Sequence, residues 1–171
     1  KELKNDLYRS VENHCVNDRD FVINLSGGLD SSILLSIFRE IYPNRNIDVY
    51  SFNFGKNYDL SEKFYSDLVA QKFNAKKNNI ELSLNEYFSG IIDTNLALAS
   101  PSYGFSNVAQ NLLYKKISED NIKVSFDGQG ADEIFGGYEG YGVSLMKSNF
   151  SKLKIHHFLT NLFYLYKKKK F

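Results

Sequence analysis

The sequence has little cysteine, little proline and no long apolar run, and each deficit excludes a class of protein. Its single cysteine, Cys15, cannot build a disulfide framework or a cysteine-based zinc site. Two prolines and eleven glycines in 171 residues exclude collagen-like and proline-rich chains. The longest apolar candidate, residues 158–166, is far shorter than the roughly 20 residues of a membrane helix. The first residues lack the apolar core of a signal peptide. We therefore expect a soluble, cytoplasmic protein without a membrane partner.

Acidic residues are missing from the end of the chain. Residues 1–139 contain 14 basic and 20 acidic residues, whereas residues 140–171 contain seven lysines and no acid. Four of these lysines follow one another at positions 167–170, beside several aromatic residues. Such a segment can bind nucleic acid or an anionic membrane. We favour a solvated helix end, because the lysines show no patterned face, and we expect no nucleic-acid partner.

Short β-rich segments alternate with helical segments along the chain. The pattern predicts strands over residues 21–25, 47–54, 80–84 and 122–126, with the asparagine-rich residues 74–79 in a loop. Helices are predicted before, between and after these strands, and the pattern is helical from about residue 131 to the end. This alternation predicts an α/β fold, with a doubly wound, mostly parallel sheet of about four or five strands and C-terminal helices. We expect an α/β domain over residues 1–145, and the start of a helical subdomain, itself incomplete, over residues 146–171.

The first candidate site is the segment of residues 26–32, which reads SGGLDSS between a predicted strand and a helix. Gly27 and Gly28 let the backbone approach an anion, and the free amides of the helix N-terminus favour a phosphate. Asp30 would repel phosphates unless Mg²⁺ lies between them. Further donors come from the serine hydroxyls of Ser26, Ser31 and Ser32. The pattern GxxxxGK[ST] is absent, so this is not a γ-phosphate-transfer loop. The alternative is a glycine turn with a helix cap.

The second candidate site is the segment of residues 127–138, which reads DGQGADEIFGGY after another predicted strand. Ligands of such sheets bind at the carboxyl ends of the strands, so we expect the two loops to serve one site. Asp132 can then supply a second Mg²⁺ contact opposite Asp30. The alternative is that Asp132 and Glu133 only cap the next helix.

These two segments, together with SFNFG at residues 51–55, resemble the synthetase domain of the asparagine synthetase family. The first motif is shared by N-type ATP pyrophosphatases, which include NAD and GMP synthetases. The second is more specific to relatives of asparagine synthetase, among them β-lactam synthetases and peptide cyclases. The resemblance implies the fold of the adenine nucleotide alpha hydrolases for residues 1–145.

The resemblance implies an ATP- and Mg²⁺-dependent carbon–nitrogen ligase of amino-acid biosynthesis. A small carboxylate would attack the α-phosphorus of ATP, and ammonia or an amine would then displace AMP from the acyl-adenylate. The ammonia would come from a separate glutaminase domain or subunit. The nucleotide-binding residues implied are Leu25, Ser26, Gly27, Gly28, Asp30, Ser31, Ser32, Phe54 and Gly128. The catalytic residues implied are Asp30, Gln129 and Asp132, of which Asp30 and Asp132 hold the metal.

Gln129 stands where asparagine-making members of the family carry Glu near the reacting acyl group. Since an amide cannot take a proton, either the acid–base role lies elsewhere or the substrate differs. A Gln at this place resembles relatives linked to surface polysaccharides. The family's downstream helical half, which supplies a catalytic lysine, is expected outside these residues, as is the glutaminase domain.

Two other functions remain as alternatives. The first is a tRNA-modifying enzyme of the same nucleotide-binding fold, although a single cysteine argues against thiolation. The second is a non-catalytic or degenerate nucleotide-binding module, which Gln129 favours.

Overall fold

The computed structural model describes residues 2–15, 20–53, 60–102, 104–152 and 155–168. Their elements, in chain order, are α1 (Glu2–His14), β1 (Phe21–Asn24), α2 (Leu29–Ile41), β2 (Asp48–Asn53), α3 (Leu60–Lys72), β3 (Lys76–Glu81), α4 (Leu84–Leu98), α5 (Phe105–Glu119), β4 (Val124–Phe126), α6 (Ala131–Phe135), α7 (Glu139–Ser151) and α8 (Ile155–Lys168). None of the helices in these ranges is long and apolar enough to cross a membrane.

The chain divides into two units, Lys1–Gly128 and Gln129–Phe171. The first contains the sheet. The second contains α6, α7 and α8, as the helical pattern after residue 131 predicts. The domain boundary that we predict at residue 145 stays a prediction.

In the described residues, four strands form one sheet in the order β3-β2-β1-β4, and every pairing is parallel. The chain adds β2 and β3 on one side of β1, then returns through α4 and α5 to add β4 on the other side. This confirms the predicted α/β, doubly wound fold. The order of the strands reverses between β1 and β4, which is where sheets of this kind bind their ligands.

The larger core lies on one face of the sheet. Phe21 and Ile23 of β1 face this side, where Phe38 of α2 is fully buried. The Phe38 ring lies 4.9 Å from the ring of Phe21 and 4.8 Å from that of Phe126, centroid to centroid. Other helical residues that close this core are Val11 of α1, Leu35 and Ile37 of α2, and Ala70 of α3.

The opposite face of the sheet is covered by α5. Val22 of β1 and Tyr50 of β2 are buried there against Leu113 and Ile117. The Tyr50 hydroxyl donates a hydrogen bond of 2.6 Å to the Asp120 carboxylate, just after α5. Because both faces are covered, every residue of β1 is buried, which is typical of a central parallel strand.

The position of β3 differs from the prediction. The apolar pattern predicts a strand over residues 80–84, but the strand is Lys76–Glu81, in parallel register with β2, and Leu84 already begins α4. In the described sheet β3 is an edge strand, which pairs on one side only and needs few apolar residues. Lys77 places its ammonium group 2.6 Å from Asp67 Oδ1. The asparagine-rich segment is therefore mostly strand and not loop.

We expect the replacement Tyr50→Phe to change how stability depends on pH. Burial and the hydrogen bond to Asp120 raise the pKa of Tyr50 above the value near 10 of an unfolded chain. The folded state therefore retains this proton, and its contribution to stability is present below about pH 10 and is lost as the pH rises further. At about pH 8 the variant should be less stable by about 1–3 kcal/mol, because Asp120 loses its donor.

Urea denaturation of both proteins between about pH 8 and pH 11 measures this difference. The gap in the free energy of unfolding should narrow as the pH rises. A difference in the free energy of unfolding that stays constant over this pH range would contradict the raised pKa of Tyr50.

Candidate functional site

The two predicted loops follow adjacent strands. The first loop follows β1 and the second follows β4, and these strands pair directly, with Ile23 opposite Phe126. Both loops therefore start at the same edge of the sheet, at the reversal of strand order.

Gly27 holds the first loop against α3. Its φ is +87°, in the left-handed region that favours glycine. A Cβ at this position would lie 2.5 Å from the backbone nitrogen of Ser66 and 3.0 Å from the carbonyl oxygen of Glu62. Position 27 therefore requires glycine for two reasons, namely its backbone conformation and the close approach of α3.

The serine hydroxyls of the first loop bind the loop itself. Ser32 Oγ donates a hydrogen bond of 2.6 Å to the carbonyl oxygen of Gly28. Ser26 Oγ accepts from the Gly28 amide at 3.2 Å and lies 3.1 Å from Ser31 Oγ. These bonds fix the turn that leads into α2.

The N-terminus of α2 carries no side-chain cap. Its N-cap residue is Gly28, which has no side chain that could accept a hydrogen bond from the amides of the first turn. By contrast, α4 has a full capping box, in which Ser83 Oγ accepts from the Glu86 amide and the Glu86 carboxylate accepts from the Ser83 amide. That bonding lowers the pKa of Glu86. The N-cap residues of α5, α6 and α7 likewise provide no side-chain cap, so the open end of α2 is compatible with an anion, which the helix dipole favours, but the missing cap is not specific to α2.

The second loop begins against this same helix turn. A Cβ at Gly128 would lie 3.0 Å from Asp30 Cβ and 3.1 Å from the Ser31 backbone nitrogen. The absence of a side chain at Gly128 therefore allows the two loops to touch. The structure brings together seven predicted residues: Ser26, Gly27, Gly28, Asp30, Ser31, Ser32 and Gly128.

A polar cluster from α5 supports the second loop, and sequence reasoning missed it. The Tyr114 hydroxyl donates to Asp127 Oδ2 at 2.6 Å and accepts from Gln110 Nε2 at 2.8 Å. Burial first, and then the bond to Asp127, raises the pKa of Tyr114 to about 12. Asn24, at the end of β1, is buried, and its side chain interacts with the Tyr114 hydroxyl. An asparagine at the end of an apolar strand was the available signal.

The remaining predicted residues are Leu25, Phe54, Gln129 and Asp132. Leu25 is buried, with its amide bonded to the Tyr50 carbonyl at 2.8 Å and its carbonyl bonded to Ser51 Oγ. Phe54 lies outside the described residues. Gln129 and Asp132 belong to the second unit.

In the second unit, Asp132 lies in the first turn of α6, and its carboxylate occupies space that a side chain at Gly137 would need. A Cβ at Gly137 would lie 1.8 Å from Asp132 Oδ1. Next to it, Glu133 accepts a hydrogen bond of 2.7 Å from the Tyr138 hydroxyl, which lowers the pKa of Glu133.

The donor set is compatible with Mg²⁺ held jointly with phosphates. Among the described residues no group of three or more His, Cys, Asp or Glu side chains is placed to hold a metal ion. Mg²⁺ is commonly held by one or two carboxylates together with phosphate oxygens. Asp30, in the first turn of α2, offers such a carboxylate.

Comparison with known sequences decides the family. A family profile described as asparagine synthase matches residues 2–169. The chain belongs to the asparagine synthase family. It is 28% identical over 160 residues to asparagine synthetase [glutamine-hydrolyzing] 1 of Bacillus subtilis, and 29% identical over 157 residues to asparagine synthetase B [glutamine-hydrolyzing] of Escherichia coli. These matches cover 90% and 80% of the chain but only 24% and 27% of the two relatives. The resemblance stated from the motifs is thus confirmed.

Solved structures confirm the fold of this asparagine synthase family member. It superposes on a U34-tRNA thiolase from Methanococcus maripaludis with a TM-score of 0.56 and 15% identity, over 86% of this chain and 50% of the other. It also superposes on an NMN synthetase from Francisella tularensis with a TM-score of 0.50 and 19% identity, over 72% and 52% of the two chains. At this level of identity the likeness shows a common α/β fold.

The requirement for Gly27 can be tested against its neighbour. Gly27→Ala should cost about 2 kcal/mol or more in the free energy of unfolding, because it combines a left-handed backbone with a clash against α3. Gly28→Ala is the matched control. Gly28 has a φ of −69°, and its Cβ would meet only the flexible Ser26 hydroxyl, at 3.2 Å, so we expect a loss below about 1 kcal/mol.

Urea denaturation of the two variants beside the parent protein provides the measurement. Equal losses for the two alanine variants would contradict the described packing of the loop on α3.

Proposed function

We propose that this chain is the ATP-binding core of an amide-forming ligase, which activates a small carboxylate as an acyl-adenylate. The supporting observation is the packing of Gly128 on the uncapped first turn of α2, beside Asp30 and Ser31. Family membership supports the same proposal, because the similar proteins are named asparagine synthetases. ATP is therefore the expected nucleotide.

The first loop supports binding of the pyrophosphate part of ATP. Amides at a helix N-terminus, together with the helix dipole, attract phosphate oxygens. Gly27, Ser26 and Ser32 hold the turn through contacts within the protein, so little rearrangement is needed when charge develops on the leaving group. Asp30 would bind the Mg²⁺ that accompanies the nucleotide, and Asp132 keeps the metal-binding role that the sequence predicts. Mg²⁺, when bound, neutralises charge on the phosphate oxygens.

The proposed reaction has two steps. In the first, an oxygen of the substrate carboxylate bonds to the α-phosphorus, the bond from that phosphorus to the bridging oxygen breaks, and pyrophosphate leaves with the electron pair. In the second, the nitrogen of ammonia or an amine bonds to the acyl carbon, loses a proton to a base, and displaces AMP. The protein contributes mainly by positioning the reactants and stabilising charge.

The names of the relatives support a proposal for the nitrogen donor. Because the relatives' names include glutamine hydrolysis and the chain spans about a quarter of their length, we propose that ammonia is delivered by a glutaminase domain or subunit. The amide of Gln129 can hydrogen-bond to the acyl group but cannot take the proton released in the second step. The base is therefore another group or solvent.

Asp30→Asn tests the proposed function. In the presence of Mg²⁺, ammonia and a series of small carboxylates, the parent protein should form AMP and pyrophosphate. The variant should form them at least about 100-fold more slowly, because it loses the carboxylate next to the phosphates. Asp93→Asn is the matched control, since Asp93 lies on α4 in an exposed ion pair with Lys115, and its replacement should leave the rate unchanged.

AMP and pyrophosphate are quantified by chromatography, and Mg²⁺–ATP binding is measured by calorimetry. Binding without turnover for every carboxylate would favour the non-catalytic nucleotide-binding module. A rate that does not change in Asp30→Asn would refute the proposed site.

Gly137→Ala tests the metal-binding role of Asp132 without changing the carboxylate itself. The new methyl group would occupy the place of Asp132 Oδ1, so the carboxylate must move. We expect the apparent affinity for Mn²⁺ in the presence of ATP to fall about tenfold, measured by electron paramagnetic resonance. Gly140→Ala is the control, because a Cβ there would meet no atom within 4 Å. Unchanged Mn²⁺ affinity in Gly137→Ala would exclude Asp132 as a ligand in its described conformation.

A further inference from the structure

We propose that Tyr114 is a positioning residue, which holds the start of the second loop on the first turn of α2 through its hydrogen bond to Asp127. The relevance of this bond to ATP rests on the proposed function. Its effect on the loop does not, because it acts in the protein without a ligand.

The first step of the argument is the chain of hydrogen bonds. Gln110 Nε2 donates to the Tyr114 hydroxyl at 2.8 Å, and this hydroxyl donates to Asp127 Oδ2 at 2.6 Å. Gln110 and Tyr114 lie one turn apart on α5, which packs on the sheet through the buried side chains of Leu113 and Ile117. The donor to Asp127 is therefore anchored on a rigid element. A hydrogen bond to a charged carboxylate is among the stronger ones in proteins.

The second step is the covalent neighbourhood of Asp127. It directly follows β4 and directly precedes Gly128, the residue that packs against Asp30 and Ser31. Beyond β4 the ladder of strand pairing no longer fixes the backbone. Tyr114 thus restrains the chain at the point where the sheet ceases to do so and where the two loops meet.

The third step is the polar character of this end of the sheet. Asn24 is 8% exposed, and its side chain interacts with the Tyr114 hydroxyl. Nearby on β4, Ser125 Oγ is buried without a hydrogen-bond partner among the described residues. A buried polar group without a hydrogen-bond partner lowers the stability of the fold, and such groups are rare in native proteins. A polar cluster beneath the two loops is consistent with a role in holding the site rather than in packing the core.

The chain offers a matched control for Tyr114. Tyr50 makes a hydrogen bond of the same length, 2.6 Å, from its hydroxyl to the carboxylate of Asp120. This bond also joins the sheet to the α5 region, but it lies outside both loops. Tyr50→Phe and Tyr114→Phe therefore each remove one tyrosine–aspartate bond, and only the second removes a bond to the loop.

The first experiment is hydrogen–deuterium exchange of the full chain without nucleotide, followed by mass spectrometry of the peptide that covers residues 124–130. In Tyr114→Phe the amides after β4 should exchange about tenfold faster, because the loop opens more often. In Tyr50→Phe their exchange should equal that of the parent protein. Equal exchange in Tyr114→Phe and the parent would overturn the proposal.

A second pair of variants approaches the bond from the other side. Asp127→Ala should reproduce the faster exchange, and the double variant with Tyr114→Phe should add nothing further. Asp127→Asn retains an oxygen acceptor and should restore most of the protection. If the effects of Tyr114→Phe and Asp127→Ala are additive, the two residues act separately and the proposal is wrong.

The second readout is nucleotide affinity. Tyr114→Phe should raise the KM for ATP about tenfold and change kcat little, because the bond shapes the site and does not touch reacting atoms. If the parent protein binds no nucleotide, the proposed function fails while the exchange experiment still decides the role of Tyr114. A kcat loss with an unchanged KM would contradict a positioning role.

Discussion

The parallel pairing of β1 with β4 is the constraint on which the rest of the site depends. It places the carboxyl ends of two strands that are distant in sequence side by side, with Ile23 opposite Phe126. Both loops then start from the same edge, and Gly128 can rest on the first turn of α2. The hydrophobic core serves this pairing, because Phe38 packs on Phe21 of one strand and on Phe126 of the other. Without the pairing, each loop would be an ordinary strand-to-helix connection.

The N-termini of α2 and α4 differ in whether a side chain caps the first amides of the helix. Ser83 and Glu86 satisfy the first amides of α4 from within the chain, as expected where a helix has only a structural role. At α2, Gly28 leaves the corresponding amides without a side-chain acceptor, and the serines of the loop bond to one another and to Gly28 instead. A glycine N-cap gives up only a few tenths of a kcal/mol relative to serine or aspartate, at the place where the family resemblance puts phosphates. The missing cap is shared with α5, α6 and α7, so what distinguishes α2 is that Gly128 of the second loop packs on its first turn, beside Asp30 and Ser31.

Much of the fold was predictable, because the central strands and the helices carry strong apolar patterns. The loop SGGLDSS and the loop starting at Asp127 are also recognisable from glycines and acids that follow a strand. The position of β3 was not predictable in this way, since an edge strand holds its place by main-chain bonds and its side chains are mostly polar. The contact of Tyr114 with the second loop was not predictable from the sequence, because a tyrosine on an amphipathic helix is typical of a residue that packs on the core. Its role depends on a tertiary contact that no local pattern encodes.

The contact of Gly27 with α3 has a consequence for how the protein can change. The atoms that leave no room for a methyl group at Gly27 belong to the main chain of α3, at Glu62, Tyr65 and Ser66. The side chains of Glu62 and Tyr65 are exposed, so their substitution need not alter this contact, whereas a shift in the path of the helix does. The residues at positions 62 and 65 of α3 can therefore change in evolution while the path of the helix backbone past Gly27 stays fixed. In a comparison of relatives, we expect the position of this backbone to be more constant than the identity of these two residues.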